Sequence, residues 1–333
     1  AGRKIGILDR DVCFGNKLCM FQADKVLNTF LFYFLQSAEF KKLFSENMTG
    51  IIGGVSIKKL KGMLMPIPPL AEQKRIVAKI EELLPYIDRY EQAWSELEDF
   101  NKRFPGDMQK SILQTAIQGK LVEQRTEEGT GEELYRQIQT EKQRLIKEGT
   151  IKKEKPLPEI TEDEIPFDIP ENWKWVKLGE AISLLSGTDF KPEEYNDAQK
   201  GIPYITGASS LSLDGVLINR WTETPRVMAY RGDVLLVCKG SGYGKTIICD
   251  IEQAHIARQI MAMKHSENIC MKYIKSYLEA NLATIKSNGQ GVIPGIDRGS
   301  VLNMIFPLPP LDEQKRIVAK LEEILPLCEK LKK

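Results

Sequence analysis

The most regular hydrophobic pattern in the chain follows Pro68-Pro69. Apolar residues recur there in steps of four and three, at Ile76, Ile80, Leu83, Ile87, Tyr90, Trp94 and Leu97. This heptad seam is typical of a long helix packed along a helical partner. It predicts a helix of about 50 Å at 1.5 Å per residue. We expect Pro105-Gly106 to end this helix near Arg103, and a further helix to begin at Asp107.

The same motif occurs twice. PIPPLAEQKRIVAKIEELLP spans 66–85 and PLPPLDEQKRIVAKLEEILP spans 307–326, with 16 of 20 positions identical at an offset of 241. The second copy repeats the seam, and an ordinary amphipathic helix on a globular domain would also show it. Two matched copies favour helices that pair with each other. The predicted helix-pairing residues are Ile76, Ile80, Leu83, Ile87, Trp94, Leu97, Ile317, Leu321 and Ile324.

The region before the second copy shows a different pattern. Short apolar runs alternate with turn residues, which predicts strands at 182–185, 202–205, 234–237 and 247–248. Helices are predicted at 274–285 and, in the first copy, at 26–44; the aromatic stripe of the latter favours a core position. The fold class is therefore α+β, with strand-rich mixed α/β modules joined by long helices.

Length and charge add regional detail. The 333 residues predict about two domains. The net charge of +1 conceals a basic excess in 1–66 (10 basic, 5 acidic) and in 198–300 (12 basic, 8 acidic). An acidic connector at 121–171 (8 basic, 14 acidic) separates them. The two basic regions are candidates for contact with an anionic partner.

No constellation of catalytic or metal-binding residues is recognisable. The six cysteines form no C-x-x-C pair, and the two histidines, His255 and His265, are ten apart. Metal ligands are therefore not predicted, and reduced thiols are expected. The longest apolar run, 30–35, is far shorter than the ~20 residues that cross a bilayer.

The glycine-rich stretch 239–246 (KGSGYGKT) allows three interpretations. A phosphate-binding loop would need glycine at Lys239 and a helix after Thr246, where Ile247-Ile248 instead indicate a strand. The stretch is more simply a glycine turn between two strands. It could also carry Lys239, Ser241, Tyr243 and Lys245 to a nucleic-acid backbone, and the last two interpretations are compatible.

At the two EQKRIVAK motifs the chain resembles the specificity (S, HsdS) subunit of type I restriction–modification systems. The segments 111–121 (SILQTAIQGKL), 155–180, 232–245 and 9–15 resemble further parts of that family. The resemblance implies two target recognition domains, joined by antiparallel coiled-coil helices, that each read one half of a bipartite DNA target.

The resemblance also implies partners. Double-stranded DNA, two methyltransferase (M) subunits and restriction (R) subunits are expected, in the cytoplasm and without a membrane. S-adenosylmethionine belongs to the M subunit, and ATP and Mg to the R subunit, so no cofactor is expected on this chain and the subunit itself is not an enzyme. A coiled-coil scaffold that does not read DNA is the alternative, and an ATPase is the third hypothesis.

Polar loop residues are the candidate DNA contacts, since amides can bond adenine and basic side chains guanine. The predicted set is Thr206, Ser209, Ser210, Lys239, Ser241, Tyr243, Lys245, Ser287, Asn288 and Gln290, with Lys4, Arg10 and Thr49 in the first module. For each residue alone, a loop position without contact is an equal possibility.

The offset also sets the expected domains. They are the C-terminal part of a first recognition domain (1–66), a first spacer (67–121), a helical and Pro/acidic linker (122–171), a second recognition domain (172–307) and a second spacer (308–333). Because residues 1–92 overlay 242–333, we expect the front half of the first recognition domain to lie outside this chain, by truncation or on a separate polypeptide.

Overall fold

A computed structural model describes residues 4–15, 18–48, 54–212, 215–240, 242–287 and 295–331. The chain divides into two compact units, Ala1–Phe100 and Asn101–Lys333, which are described separately. The helices are α1 (Asn28–Gln36), α2 (Ala38–Glu46), α3 (Ile57–Lys61), α4 (Leu70–Ile117), α5 (Gly131–Lys147), α6 (Leu178–Ala181), α7 (Met271–Ala280), α8 (Leu282–Ser287), α9 (Arg298–Leu302) and α10 (Leu311–Glu329). No helix of the described ranges is long and apolar enough to cross a membrane.

The first unit holds α1 to α3 and most of α4. The predicted helix 26–44 is wrong as a single element, because Ser37 breaks it: its backbone is extended and its hydroxyl caps α2 by accepting the N–H of Phe40 at 3.2 Å. Phe30 and Phe40 of the aromatic stripe are buried with Leu35, and its other aromatic residues are half-buried, so part of the stripe is core. The described residues 4–15 and 18–27 form neither helix nor strand.

Helix α4 corrects the predicted helix end. It continues through Pro105 and Gly106 to Ile117, 48 residues in all. A proline inside a helix costs ~3 kcal/mol or more through a lost hydrogen bond and a steric clash. Pro105 is nevertheless inside the helix, where it is buried. The predicted helix 274–285 is also split, into α7 and α8.

The second unit is built on three sheets, two of them antiparallel and one mixed. The strands are β1 (Lys174–Lys177), β2 (Leu184–Ser186), β3 (Ile202–Ile205), β4 (Trp221–Thr222), β5 (Met228–Tyr230), β6 (Val234–Val237), β7 (Thr246–Ile248), β8 (Gln253–Ile256), β9 (Ile260–Met263) and β10 (Ile305–Leu308). Their orders are β1-β10, β2-β9-β6-β7 and β4-β3-β8-β5, and β3 runs parallel to β8. The predicted α+β class is confirmed.

Strand β6 is uniformly apolar because both of its faces are buried. Leu235 and Val237 join the core shared with β3, β5 and β8, whereas Val234 and Leu236 join the core beneath α7 and α10. Successive residues of a strand point to opposite faces, so a sheet covered on both sides needs apolar residues at every position. This sheet is therefore the central layer of the module.

The end of α4 lies antiparallel to α10 within the second unit. Gln109 of α4 donates to Glu329 at the end of α10, at 2.5 Å. Near the start of α10, Arg316 binds the Glu128 carboxylate at 2.7 Å and the carbonyl of Glu123 at 3.0 Å. Since residues 123 and 128 follow α4, the two helical segments run in opposite directions.

The acidic connector packs along the module as well. Lys142 of α5 donates to the carbonyls of Gly179 and Ile182 at 2.7 and 2.8 Å, at the C-terminal end of α6. Further along, Glu154 pairs with Arg298 at 2.6 Å. These charge-assisted contacts hold the connector in place although it contains little regular structure beyond α5.

Candidate nucleic-acid interface

Three segments distant in sequence meet at one end of the second module. They are the turn after β3 (206–211), the glycine turn between β6 and β7 (239–245) and helix α8. A Cβ built on Gly242 would lie 2.3 Å from the Ala208 side chain, and one on Gly244 would lie 2.4 Å from Leu282. The structure therefore brings together two of the loops that the sequence singled out separately, beside helix α8. We call these three segments, together with the adjoining Gln259 between β8 and β9, the loop cluster.

The glycine turn has the geometry of a β-turn region, not of a phosphate-binding loop. Gly240 and Gly244 have φ of +88° and +89°, which glycine adopts without strain. The N–H of Gly244 donates to the carbonyl of Val237 at 2.7 Å, and β7 follows directly. A phosphate-binding loop must open a helix, so the prediction of a turn between two strands is confirmed.

The predicted contact residues of this cluster divide into outward and inward groups. Ser209 and Lys239 are exposed, and Thr206 and Tyr243 are half-buried. Ser210 is fully buried and accepts the N–H of Thr206 at 3.2 Å, which orders the turn.

Lys245 is also directed inward. Its ammonium donates to the carbonyl of Leu211 and so joins the glycine turn to the turn after β3. None of these placements tests DNA contact, so all of these residues remain predictions.

Several predicted residues lie beyond what the structure describes. Ser241, Asn288, Gln290 and Thr49 are outside the described residues, and Ser287 is described only as the last residue of α8. In the first unit, Lys4 and Arg10 are exposed. The Arg10 guanidinium is 3.3 Å from Asp9, an exposed pair that contributes little.

Two residues of the cluster were missed by the sequence analysis. Gln259 is exposed in the turn between β8 and β9, and a Cβ on Gly207 would lie 2.7 Å from its Oε1. Lys286 of α8 is exposed and places its ammonium 5.1 Å from the centre of the Tyr243 ring, a cation–π distance. A short polar turn (258–259) between two apolar strands was the available signal for Gln259.

The predicted helix-pairing residues have unequal environments. Ile317 and Leu321 are buried in the core of the second unit, and Ile324 is half-buried. In α4, Ile76 and Ile80 are half-buried. The remaining four are exposed by 45 to 58%: Leu83, Ile87, Trp94 and Leu97. Pairing through these side chains stays a prediction.

A concave feature of the second unit is formed partly by the segment that follows β2. This open cleft of about 560 Å³ is lined by Asp189, Phe190, Lys191, Glu193, Glu194 and Arg226. The Arg226 guanidinium lies 4.8 Å from the centre of the Phe190 ring and pairs with Glu194. Opposite charges neutralise one another here, so the cleft does not present the uniformly basic surface that a phosphate backbone favours.

His255 supports the wall of this cleft. It is buried on β8, with its ring 4.2 Å from Phe190, and its Nδ1 accepts the N–H groups of Arg226 and Val227 at 3.3 and 3.2 Å. Nε2 lies 2.9 Å from the carbonyl of Thr188, so it carries the proton. Burial lowers the pKa of His255 below its ordinary 6.5, and the neutral ring is a structural hydrogen-bonding group.

A metal site would need several His, Cys, Asp or Glu side chains close together within the described ranges. Within them, no group of three or more His, Cys, Asp or Glu side chains could hold a metal ion. The buried thiols of Cys238 and Cys249 have their pKa raised by burial, that of Cys249 to about 11, which disfavours the thiolate that reacts or ligates.

A model of a known protein family matches most of the chain. The model described as "Type I restriction modification DNA specificity domain" matches residues 4–98 and 170–333. Two relatives from Escherichia coli are the EcoAI and EcoEI type I restriction enzyme specificity subunits. They are 26% and 25% identical over 93% and 90% of this chain. The chain spans 62% and 60% of their lengths. A solved structure, the HsdS subunit from Thermoanaerobacter tengcongensis, is 23% identical with a TM-score of 0.49, covering 91% of this chain and 64% of that one.

Proposed function

The chain belongs to the family of type I restriction–modification DNA specificity domains, and on that premise we propose that it reads DNA sequence for a methyltransferase that assembles with it. The resemblance drawn from the two EQKRIVAK motifs is thereby confirmed. The specificity subunits that it resembles are longer, so the target, the activity and the partners of the whole protein belong to this proposal.

The loop cluster is the observation that carries the DNA-reading role. It presents the ammonium groups of Lys239 and Lys286 together with the hydroxyl of Ser209 and the amide of Gln259. Lysines neutralise phosphates, and amides and hydroxyls bond base edges. A reading surface needs both kinds of group within one footprint, and this cluster supplies them.

The spacer helices support a bipartite target. Helix α4 has 48 residues, which at 1.5 Å each correspond to about 70 Å. That length exceeds the 50 Å expected from sequence, and it covers about two turns of B-DNA. Near-identical motifs attached to unlike globular parts suit one kind of protein partner and two different half-sites.

The division of labour follows from the same premise. We assign methyl transfer to M subunits, two per complex, which carry S-adenosylmethionine, and DNA cleavage to R subunits, which carry ATP and Mg. The chain itself binds none of these cofactors and catalyses no reaction in this scheme. Its contribution is the choice of the DNA sequence.

Adenine methylation tests the proposal. The M subunit is expressed with and without this chain, and methylated positions are mapped by long-read sequencing. We expect a split recognition sequence to be methylated only when the chain is present. Methylation of the same sequence by the M subunit alone would refute a sequence-reading role.

Substitution in the loop cluster separates DNA reading from scaffolding. The double variant Lys239→Ala/Lys286→Ala should weaken DNA binding by the assembled complex, while Lys147→Ala, an exposed lysine at the end of α5, should not. A scaffold that does not read DNA would assemble equally in all three proteins, and none of the substitutions would change DNA affinity.

A further inference from the structure

The glutamine of the repeated motif occupies equivalent places in both copies. Gln73 lies in the first turn of α4 and Gln314 in the first turn of α10, 241 residues apart. Their exposed fractions are 1% and 0%. Buried glutamine is uncommon, because an amide removed from water must find partners within the protein.

Each buried amide makes the same two hydrogen bonds. Oε1 of Gln314 accepts the N–H of Cys270 at 3.0 Å, and its Nε2 donates to the carbonyl of Pro309 at 2.9 Å. In the first unit, Oε1 of Gln73 accepts the N–H of Leu27 at 2.9 Å, and its Nε2 donates to the carbonyl of Pro68 at 2.9 Å.

The acceptor bond reaches the same element in both units. Cys270 directly precedes α7 and Leu27 directly precedes α1, so each glutamine supplies an acceptor to an N–H at the start of a module helix. The donor bond holds the proline segment that leads into the spacer helix. One side chain therefore links the module helix, the proline segment and the spacer helix.

The neighbouring motif residue does not share this likeness. Glu313 is buried in the second unit, and its carboxylate accepts a hydrogen bond from Nδ2 of Asn172 at 3.4 Å. The equivalent Glu72 is exposed. The two units therefore differ at the glutamate and agree at the glutamine.

We propose that Gln73 and Gln314 are positioning residues that fix the angle between each recognition module and its spacer helix, and thereby the spacing between DNA half-sites that the complex accepts. Neither residue needs to touch DNA. This inference rests on the proposed function, since only a bipartite reader has a spacing to define. Without the two hydrogen bonds of the glutamine, each module would still read its bases. The angle between the module and its spacer helix would be less restricted.

The test uses the full chain assembled with its M subunit. Methylation rates are measured on duplexes that carry both half-sites at the natural spacing and at spacings one base pair shorter or longer. One base pair turns a half-site by about 35°. For Gln314→Leu and, separately, Gln73→Leu, we expect the preference for the natural spacing to fall about tenfold, the scale expected for two lost buried hydrogen bonds. The bases required within each half-site should remain the same.

Gln143→Leu, at an exposed glutamine of α5, is the matched control and should keep the natural preference. Equal loss of rate at all spacings would show a merely structural role and overturn the inference, as would an unchanged preference in folded variants. If Gln314→Leu fails to fold, Gln314→Met and Gln73→Leu answer the same question. Failure of the proposed function is distinguishable, because the unsubstituted complex would then methylate no split sequence.

Discussion

Protonation of His255 should destabilise the second unit. Its Nδ1 accepts two backbone N–H groups, so a proton added there would point at two donors and break both hydrogen bonds. The charged groups that face the ring are Asp189 and Arg226; burial has the largest effect and lowers the pKa, Arg226 lowers it further, and Asp189 raises it. The 225–228 segment, which carries Arg226 to the cleft, depends on this acceptor.

The sign and size of the effect follow from linkage. The pKa of His255 is lowered in the folded state, so the unfolded chain binds more protons once the pH falls below the ordinary value of 6.5. Stability is therefore lost as the pH falls through that window. For one proton the slope cannot exceed about 1.4 kcal/mol per pH unit.

Guanidinium unfolding at pH 7.5, 6.5 and 5.5 measures this slope, with tryptophan fluorescence as the signal. Trp221 on β4 lies in the same sheet as His255. His255→Gln removes the titrating ring and should flatten the dependence, whereas His265→Gln, at the exposed second histidine, should not. Parallel pH dependences for the unsubstituted protein and His255→Gln would refute the reasoning.

Three other outcomes are expected. Leu321→Ala, 2% exposed, should lower the free energy of unfolding by about 2–5 kcal/mol, and Leu83→Ala, 45% exposed, by less than ~1 kcal/mol, in chemical denaturation. Combined replacement of Lys239 and Lys286 by alanine should reduce the slope of log affinity against log salt by about 2, if each contacts one phosphate. Gln259→Ala should reduce the selectivity for one base of the methylated sequence, by about 1–3 kcal/mol, and methylation mapping would show other bases accepted at that position.

Local signals accounted for four of the ten strands in the described residues. The runs that became β3 and β6 are apolar and bounded by glycines, and they formed where the sequence predicted. The glycine turn was also identifiable, because residues after it favour a strand. Helix ends were less predictable: Ser37 caps a new helix through one hydroxyl, whereas Pro105 does not end α4. The Ser37 cap is a local contact to the N–H three residues later and follows the ordinary N-cap pattern, whereas the local pattern at Pro105 favours an end that α4 does not have.

The loop cluster as an assembled surface was beyond sequence reasoning. Residues 206–211, 242–245 and 282–287 meet because β3 pairs with β8 in one sheet while β6 pairs with β7 and β9 in another. That strand order is non-sequential and cannot be read from spacing. Gln259 shows the consequence, since its place beside Gly207 arises only after β8 and β9 have been fixed in different sheets.

The heptad seam correctly predicted a buried stripe on α10, but it did not show which element packs against that stripe. In α10, the stripe faces the core of its own unit, where Ile317 and Leu321 are buried in the same cluster as Ile274 of α7. A step of four and three residues is equally suited to a module core and to a coiled coil, because both need one apolar face. Leu83 to Leu97 continue the stripe of α4 beyond the positions equivalent to Leu321, and they are exposed. Helix pairing is therefore to be sought along this exposed part of α4, since Ile317 and Leu321 already stabilise the second unit.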